Sequence, residues 1–165
     1  MASEFDGTTA RWGSFVIEGP GNKGFIELAQ RSRTSFELHS TITYHGVTGL
    51  EDVDRIPASS LEEIRRVTPE QLTDTDLASV PIVLRWFVSP YGVHTPASLI
   101  HDRLIDADPP IEGLTDPDVD RYLRFMLADL GVRFIRRWLM WSATSFRTRL
   151  VGGPLRKAML LAWVV

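Results

Sequence analysis

The chain has 165 residues, of which 44% are hydrophobic and 24% charged, and a net charge of −3. This length suits a single domain with a real core, and the mildly acidic net charge gives no reason to expect nucleic-acid binding. There is no cysteine, which excludes disulfides, thiolate metal sites and a cysteine nucleophile.

The sequence shows no targeting or membrane-spanning segment. Its start, MASEFDGTTARWG, is polar and acidic and has neither the basic start nor the apolar run of a secretory signal. No apolar stretch approaches the roughly 18 residues that a membrane span needs. We therefore expect a protein that stays in the compartment where it is made.

The N-terminal third predicts β-structure. Residues 1–24 are rich in Gly, Ser and Thr and predict an extended, loop-rich arm, whereas residues 25–50 predict β-strands. Strict alternation over residues 34–44 is typical of one half-buried strand. Its apolar side carries Phe36, Leu38, Ser40, Ile42 and Tyr44.

Two histidines fall on the polar side of that strand, His39 and His45. They are either a metal-binding pair or two solvated side chains. Residues six apart on a strand lie roughly 20 Å apart, so we favour the solvated interpretation.

A short helix is predicted over residues 59–66. Ser59 with Glu62, or Ser60 with Glu63, forms the Ser-x-x-Glu pattern of a capping box. A polar connection, a turn at residues 89–92 and a helical region over residues 95–150 follow.

Three helices are predicted in that region. Thr95 is the expected N-cap of the first, with Pro96 just inside it. Thr115 or Asp116 caps the second, which Gly131 ends. The third runs over residues 133–149, and Ile135, Trp138, Leu139, Ser142 and Phe146 share one of its sides.

These elements predict an α+β fold in one domain, residues 1–165. A small N-terminal antiparallel sheet packs on three to four C-terminal helices, and residues 152–165 form an apolar tail. Basic residues interleave with Trp138 and Trp141 in the C-terminal third. This pattern is typical of a membrane-surface or partner-binding helix, or more commonly of an amphipathic helix with a solvated face, which we favour.

Three residues carry the chemistry. His101 lies on or beside the buried face of the first long helix, and Asp120 borders the apolar stripe of the next. Because two capped helices joined by a short connection usually pack antiparallel, Asp120 is expected to contact His101. Such a carboxylate would orient a catalytic imidazole that activates water. Asp102 points elsewhere and is the candidate ligand of Ca²⁺, completed by carbonyls of residues 89–94.

Each of these roles has a structural alternative. A buried His101–Asp120 bond can simply hold two helices together, and the sequence by itself favours this interpretation. Asp102 can be a solvated residue that pairs with Arg103 or Arg85. No cofactor other than Ca²⁺ is suggested.

Several short motifs resemble the DUF1353 family, whose members are small proteins of phages and prophage-bearing bacteria without an established activity. The resemblance covers about residues 70–150. It rests on Asp76-Leu77-Ala78-Ser79-Val80-Pro81, Pro90-Tyr91-Gly92, Thr95-Pro96-Ala97, His101-Asp102 followed by Leu104, Asp120-Arg121 and Leu130-Gly131-Val132. It implies a phage or phage-derived origin, and therefore a protein made in the bacterial cytoplasm. It also implies a structural role for Asp76, Ser79, Pro81, Tyr91 and Gly92.

The His–Asp pair is also similar to the helix of phospholipase A2. That resemblance implies His101 as general base, Asp102 as Ca²⁺ ligand and Asp120 as the residue that orients His101. The chain departs from the phospholipase pattern at Ile105, where a tyrosine is expected, and it lacks the glycine-rich calcium loop.

Two functions follow as expectations. The first is a component of a phage or phage-derived particle, bound to neighbouring subunits through its termini and loops. The alternative is a phospholipase-A2-like hydrolase that acts on envelope phospholipid with a His101–Asp120 dyad.

Overall fold

Strands precede most of the helical structure in the part of the chain that the computed structural model describes, which comprises residues 9–19, 26–31, 36–51, 53–72 and 92–151. The strands are β1 (Thr9–Trp12), β2 (Phe15–Glu18), β3 (Leu28–Gln30), β4 (Phe36–Leu38), β5 (Thr41–Tyr44) and β6 (Arg66–Val67). The helices are α1 (Ala58–Ile64), α2 (Thr95–Ile105), α3 (Asp116–Asp129) and α4 (Phe134–Val151). The protein therefore has the α+β fold expected from its sequence.

The larger sheet has the strand order β1-β2-β5-β6, and all its neighbours are antiparallel. In its register Phe15 lies opposite Tyr44, Ile17 opposite Ile42, and Ile42 also opposite Val67. All five side chains are at most 1% exposed. Because alternate residues of a strand point to one face, this row forms the sheet's contribution to the core.

Part of the predicted N-terminal arm belongs to this sheet. β1 and β2 form a hairpin around Gly13 and Ser14, and Gly13 has φ +58°. A two-residue hairpin turn needs positive φ, which glycine adopts without steric cost. Residues 9–18 of the predicted arm therefore form two paired strands.

The prediction of a single strand over residues 34–44 is wrong, because the chain passes from one sheet to the other in the middle of this segment. β4 pairs with β3 in a separate two-stranded sheet, whereas β5 lies in the larger one. At the break, His39 donates its backbone N–H to Glu27 O (2.8 Å), and Glu27 N–H donates to Ser40 Oγ (2.8 Å). The alternating burial nevertheless continues through the break, since Leu38 and Ser40 are both fully buried.

The capping box predicted for α1 is also wrong. The helix begins at Ala58 after Pro57, and no side chain caps its first turn. Ser59 and Ser60 lie inside the helix, so neither can occupy the N-cap position that a capping box requires.

The start of α2 differs by one residue from the prediction. His94 is the N-cap, and Thr95 and Pro96 occupy the first helical positions. Thr95 Oγ1 accepts a hydrogen bond from Gly92 N–H (3.0 Å), and Thr95 N–H donates to Gly92 O (2.9 Å). These two bonds tie the helix start to the preceding turn.

Both ends of α3 follow local rules. Thr115 is the N-cap and forms a capping box with Asp118, which accepts the Thr115 N–H at 3.0 Å. Gly131 has φ +70°. It donates to Ala128 O, and Val132 donates to Leu127 O, each at 3.0 Å, which is the Schellman pattern of a helix C-terminus.

α2 is the central helix of this arrangement. It contacts β6 on one side and α3 on the other, and α3 in turn packs on α4. Eight of its eleven residues are buried, as expected for a helix enclosed by other elements. None of the helices in the described ranges combines the length and the apolar character needed to cross a membrane.

Candidate active site

His101 and Asp120 meet where α2 packs on α3. Nε2 of His101 lies 3.0 Å from Oδ1 of Asp120. The two residues are 6% and 3% exposed. An ionised carboxylate only accepts hydrogen bonds, so Nε2 carries the proton and Nδ1 holds the free lone pair of a neutral ring. The structure thus brings together the two residues that the sequence analysis paired.

Asp102 lies on the other side of the same imidazole. Its Oδ1 is 3.7 Å from Nδ1 of His101. Side-chain exposure rises from 4% at Asp120 to 8% at His101 and 16% at Asp102. Of these three residues, Asp120 is therefore the most buried and Asp102 the most accessible. Nδ1 of His101 faces Asp102.

The environment of His101 acts on its pKa in opposite directions. Burial disfavours the charged ring and lowers the pKa, whereas Asp102 and then Asp120, by hydrogen bonding and by negative charge, raise it. The result is a pKa above the ordinary value of 6.5. At 3.7 Å the Asp102 contact is longer than an ordinary hydrogen bond, so we attribute its effect mainly to charge.

Arg103, one of the two arginines considered as partners of Asp102, bonds to Glu63 instead. Its guanidinium donates to the Glu63 carbonyl oxygen (3.1 Å) and to Glu63 Oε1 (2.7 Å). Arg103 is itself only 6% exposed. This buried arginine therefore ties α2 to α1 and leaves Asp102 on the His101 side.

Of the motif residues expected to be structural, Gly92 lies within the described residues and contacts the start of α2 through Thr95. Asp76, Ser79, Pro81 and Tyr91 lie outside the described residues, as do Arg85 and the apolar tail, residues 152–165.

The histidines on the strand side fit the solvated interpretation. The His39 side chain is 44% exposed and lies 3.8 Å from a carboxylate oxygen of Glu37, and His45 is exposed. Within the described ranges, no group of three or more His, Asp or Glu side chains has the arrangement of a metal site.

The sequence analysis did not identify Arg55 and Asp118, which brace the α3 end of the site. The Arg55 guanidinium forms an ion pair with Asp118 and donates from Nε to Gly113 O (3.0 Å). Burial works to raise the pKa of Asp118, but hydrogen bonds from Thr115 and Arg55 outweigh it and lower the pKa. The Thr115-x-x-Asp118 spacing was a sequence signal for Asp118, whereas no comparable signal pointed to Arg55.

α4 presents its apolar side outward rather than only a solvated basic face. Ile135 is 73% exposed and Trp138 53% exposed. Met140, on the opposite side, is 6% exposed. Interleaved tryptophan and arginine were the sequence signal for this surface.

Comparison with known proteins identifies the family of the chain. Among curated proteins and solved structures, no match to the chain was found. A family model described as "Protein of unknown function (DUF1353)" matches residues 57–144. The matched range covers more than half of the chain and includes α1, α2, α3 and both members of the His101–Asp120 pair. The chain therefore belongs to the DUF1353 family.

Proposed function

We propose that the protein is a hydrolase of ester substrates in which His101 acts as general base and Asp120 orients its imidazole. The observation that carries this proposal is the 3.0 Å contact of His101 Nε2 with Asp120, with the carboxylate on the buried side and Nδ1 on the more accessible side. A carboxylate that holds one ring nitrogen leaves the other free to accept a proton from water.

The reaction begins with a water molecule hydrogen-bonded to Nδ1 of His101. The ring removes a proton from this water while its oxygen bonds to the ester carbonyl carbon, which gives a tetrahedral oxyanion and an imidazolium. The imidazolium is stabilised by the carboxylate of Asp120. When the tetrahedral species collapses, the bond to the leaving alcohol breaks, and the alkoxide takes the proton back from Nδ1. Neither an oxidant nor a further reactant is needed.

The favoured substrate class is phospholipid. The order of the residues supports it, since a helical His–Asp pair followed by an aspartate on a packed helix is similar to the phospholipase A2 arrangement. In that arrangement, the residue four positions after the histidine is a tyrosine. Here it is Ile105, a half-buried residue of α2, so Asp120 lacks that hydrogen bond to its carboxylate.

Calcium binding by Asp102 stays a prediction. Ca²⁺ takes about six to eight oxygen ligands, and on the Nδ1 side of His101 the described residues supply one carboxylate, that of Asp102. The carbonyls expected to complete the shell belong to residues 89–94, of which residues 89–91 lie outside the described ranges. The described part of the donor set therefore does not fit the ion, and no step of the reaction above depends on it.

The test is fatty-acid release from mixed phospholipid vesicles by the wild-type protein, His101→Gln and Asp120→Asn, with Ca²⁺ and with chelator. His45→Gln is the matched control, because His45 is an exposed histidine outside the site. We expect release by wild type and by the control and at least a roughly hundredfold loss in the His101 and Asp120 variants. Folded wild-type protein that releases no fatty acid would reduce the pair to a clamp between α2 and α3.

The assembly hypothesis, a component of a phage or phage-derived particle, stays a prediction. Its proposed contacts are the termini and the loops, and residues 1–8, 73–91 and 152–165 lie outside the described ranges. It predicts that the protein copurifies with other particle subunits, which mass spectrometry of intact particles would test.

A further inference from the structure

The exposed apolar residues of α4 form one continuous surface. Phe134, Ile135 and Trp138 are 64%, 73% and 53% exposed, and we call them the α4 apolar patch. At about 100° per residue, Trp138 lies between Phe134 and Ile135 around the helix axis. The patch is therefore a single stripe at the start of α4, directed away from the core that Met140 enters.

Arginines border this patch. The guanidinium of Arg137 lies over the Phe134 ring at 5.6 Å, and that of Arg124, from α3, lies over the Trp141 ring at 5.6 Å. Arg133 precedes the helix and is exposed. The sequence of α4 contains no acidic residue. The exposed Asp129 at the end of α3 accepts a hydrogen bond from the backbone N–H of Ser14. The patch thus combines aromatic side chains with a net positive border.

The patch is small, and its charge rather than its size favours a lipid surface. Its three partly exposed side chains offer on the order of 400 Å², which is close to the apolar part of one side of a protein interface. Insertion of a few aromatic and aliphatic side chains at the boundary between headgroups and acyl chains needs no larger area.

We propose that the α4 apolar patch binds an anionic phospholipid surface. Phe134, Ile135 and Trp138 enter the headgroup region, and Arg133 and Arg137 contact lipid phosphates. The aromatic side chains match the boundary between headgroups and acyl chains, and the arginine charges match the negative charge of an anionic bilayer. This deepens the proposed function, on which the choice of phospholipid rests, by naming the surface through which the hydrolase reaches an aggregated substrate.

Vesicle cosedimentation tests this proposal separately from catalysis. The protein carries His101→Gln throughout, so that the lipid stays intact, and vesicles contain phosphatidylcholine alone or mixed with phosphatidylglycerol. The test variant adds Ile135→Ser and Trp138→Ser. The control adds Val47→Ser and Val93→Ser, which replace apolar residues that are 65% and 49% exposed elsewhere.

We expect binding to the mixed vesicles, little binding to phosphatidylcholine alone, and at least a roughly tenfold weaker association for the test variant. The control should bind like its parent. A second variant, Arg133→Gln with Arg137→Gln, should lose the preference for phosphatidylglycerol.

Equal binding by the test variant and its parent, or no binding by either, would overturn the proposal. Concentration-dependent self-association that the test variant abolishes would assign the patch to a second copy of the chain instead. Binding without fatty-acid release by the unmodified protein would leave the lipid surface standing and remove the hydrolase. If the patch substitutions leave fatty-acid release by the protein with intact His101 unchanged, the hydrolase would stand and the lipid-binding role of the patch would fall.

Discussion

His101 Nε2 lies 3.0 Å from Asp120 Oδ1, and this one contact joins two helices across nineteen positions of sequence. Both partners are almost fully buried, so the contact stabilises the packing of α2 on α3 whether or not it is catalytic. A clamp needs only a hydrogen bond. A general base also needs the negative charge of its carboxylate, because the ring becomes positive during the reaction.

Asp120→Asn separates these two requirements. The amide oxygen still accepts a hydrogen bond from Nε2, so the free energy of unfolding should fall by only about 1 kcal/mol. The lost negative charge should lower the pKa of His101, since Asp120 is one of the two groups that raise it. Nuclear magnetic resonance titration of the ring measures that shift without reference to any substrate. An unchanged pKa in the variant would contradict the proposed coupling.

The raised pKa of His101 predicts how stability depends on pH. A group whose pKa is higher in the folded than in the unfolded state binds its proton more tightly when folded. Its stabilising contribution is complete below the ordinary value of 6.5 and disappears as pH rises through the folded value. The difference in unfolding free energy between wild type and His101→Gln should therefore shrink above pH 6.5.

Urea unfolding at a series of pH values checks this expectation, with His45→Gln as the control that keeps the wild-type trend. Activity should follow the opposite direction. The base works only as the neutral ring, so the rate of hydrolysis should rise with pH through the folded pKa of His101. A stability difference that grows with pH would show that burial, rather than the two carboxylates, dominates at this site.

The local signals in the sequence were enough to locate α2, α3 and their facing polar residues. Proline near each helix start, Thr115 and Gly131 all act within a few residues, and the borders of the apolar stripes identify His101 and Asp120. The contact between them follows from the short connection and the packing of two apolar faces. The roles of Asp102 and of residues 73–91 have no such local signal.

Two structural features have causes that no local pattern contains: the break in the strand over residues 34–44 and the exposure of apolar residues on α4. The strand over residues 34–44 divides because Ser40 and His39 bond to Glu27, thirteen and twelve residues earlier, and alternation cannot reveal such a partner. For α4 the periodicity placed Ile135 and Trp138 on one side of the helix. It did not reveal that α3 packs elsewhere on the helix and leaves Ile135 and Trp138 exposed.

Gly113 should be the least replaceable glycine near the site. It has φ +74°, and a Cβ there would lie 1.9 Å from the backbone oxygen of Arg55. Gly131 has φ +70° with nothing within 4 Å, which makes it a matched control for the backbone conformation alone. Gly131→Ala should cost roughly 1–2 kcal/mol, and Gly113→Ala at least about 3 kcal/mol because the clash is added.

The Gly113→Ala substitution should also affect the candidate site, because Gly113 lies two residues before the N-cap of α3, the helix that carries Asp120. A shift of the backbone there should move Asp120 away from His101 and lower the His101 pKa in Gly113→Ala, but not in Gly131→Ala. Thermal unfolding and ring titration of both variants measure the two effects. Equal costs for the two substitutions would mean that the Arg55 loop yields easily and does not fix the start of α3.

The orientation of α4 can be tested by two substitutions on its opposite sides. Met140 is buried at 6% exposure and Trp138 is 53% exposed. Met140→Ala should lower the free energy of unfolding by about 2–5 kcal/mol, because it leaves a cavity in the hydrophobic core. Trp138→Ser should change it by no more than about 0.5 kcal/mol despite the larger side chain removed. Urea unfolding of both variants gives the comparison. If Trp138→Ser were the more destabilising change, α4 would be rotated about its axis, and the apolar patch would belong to the core and not to a lipid surface.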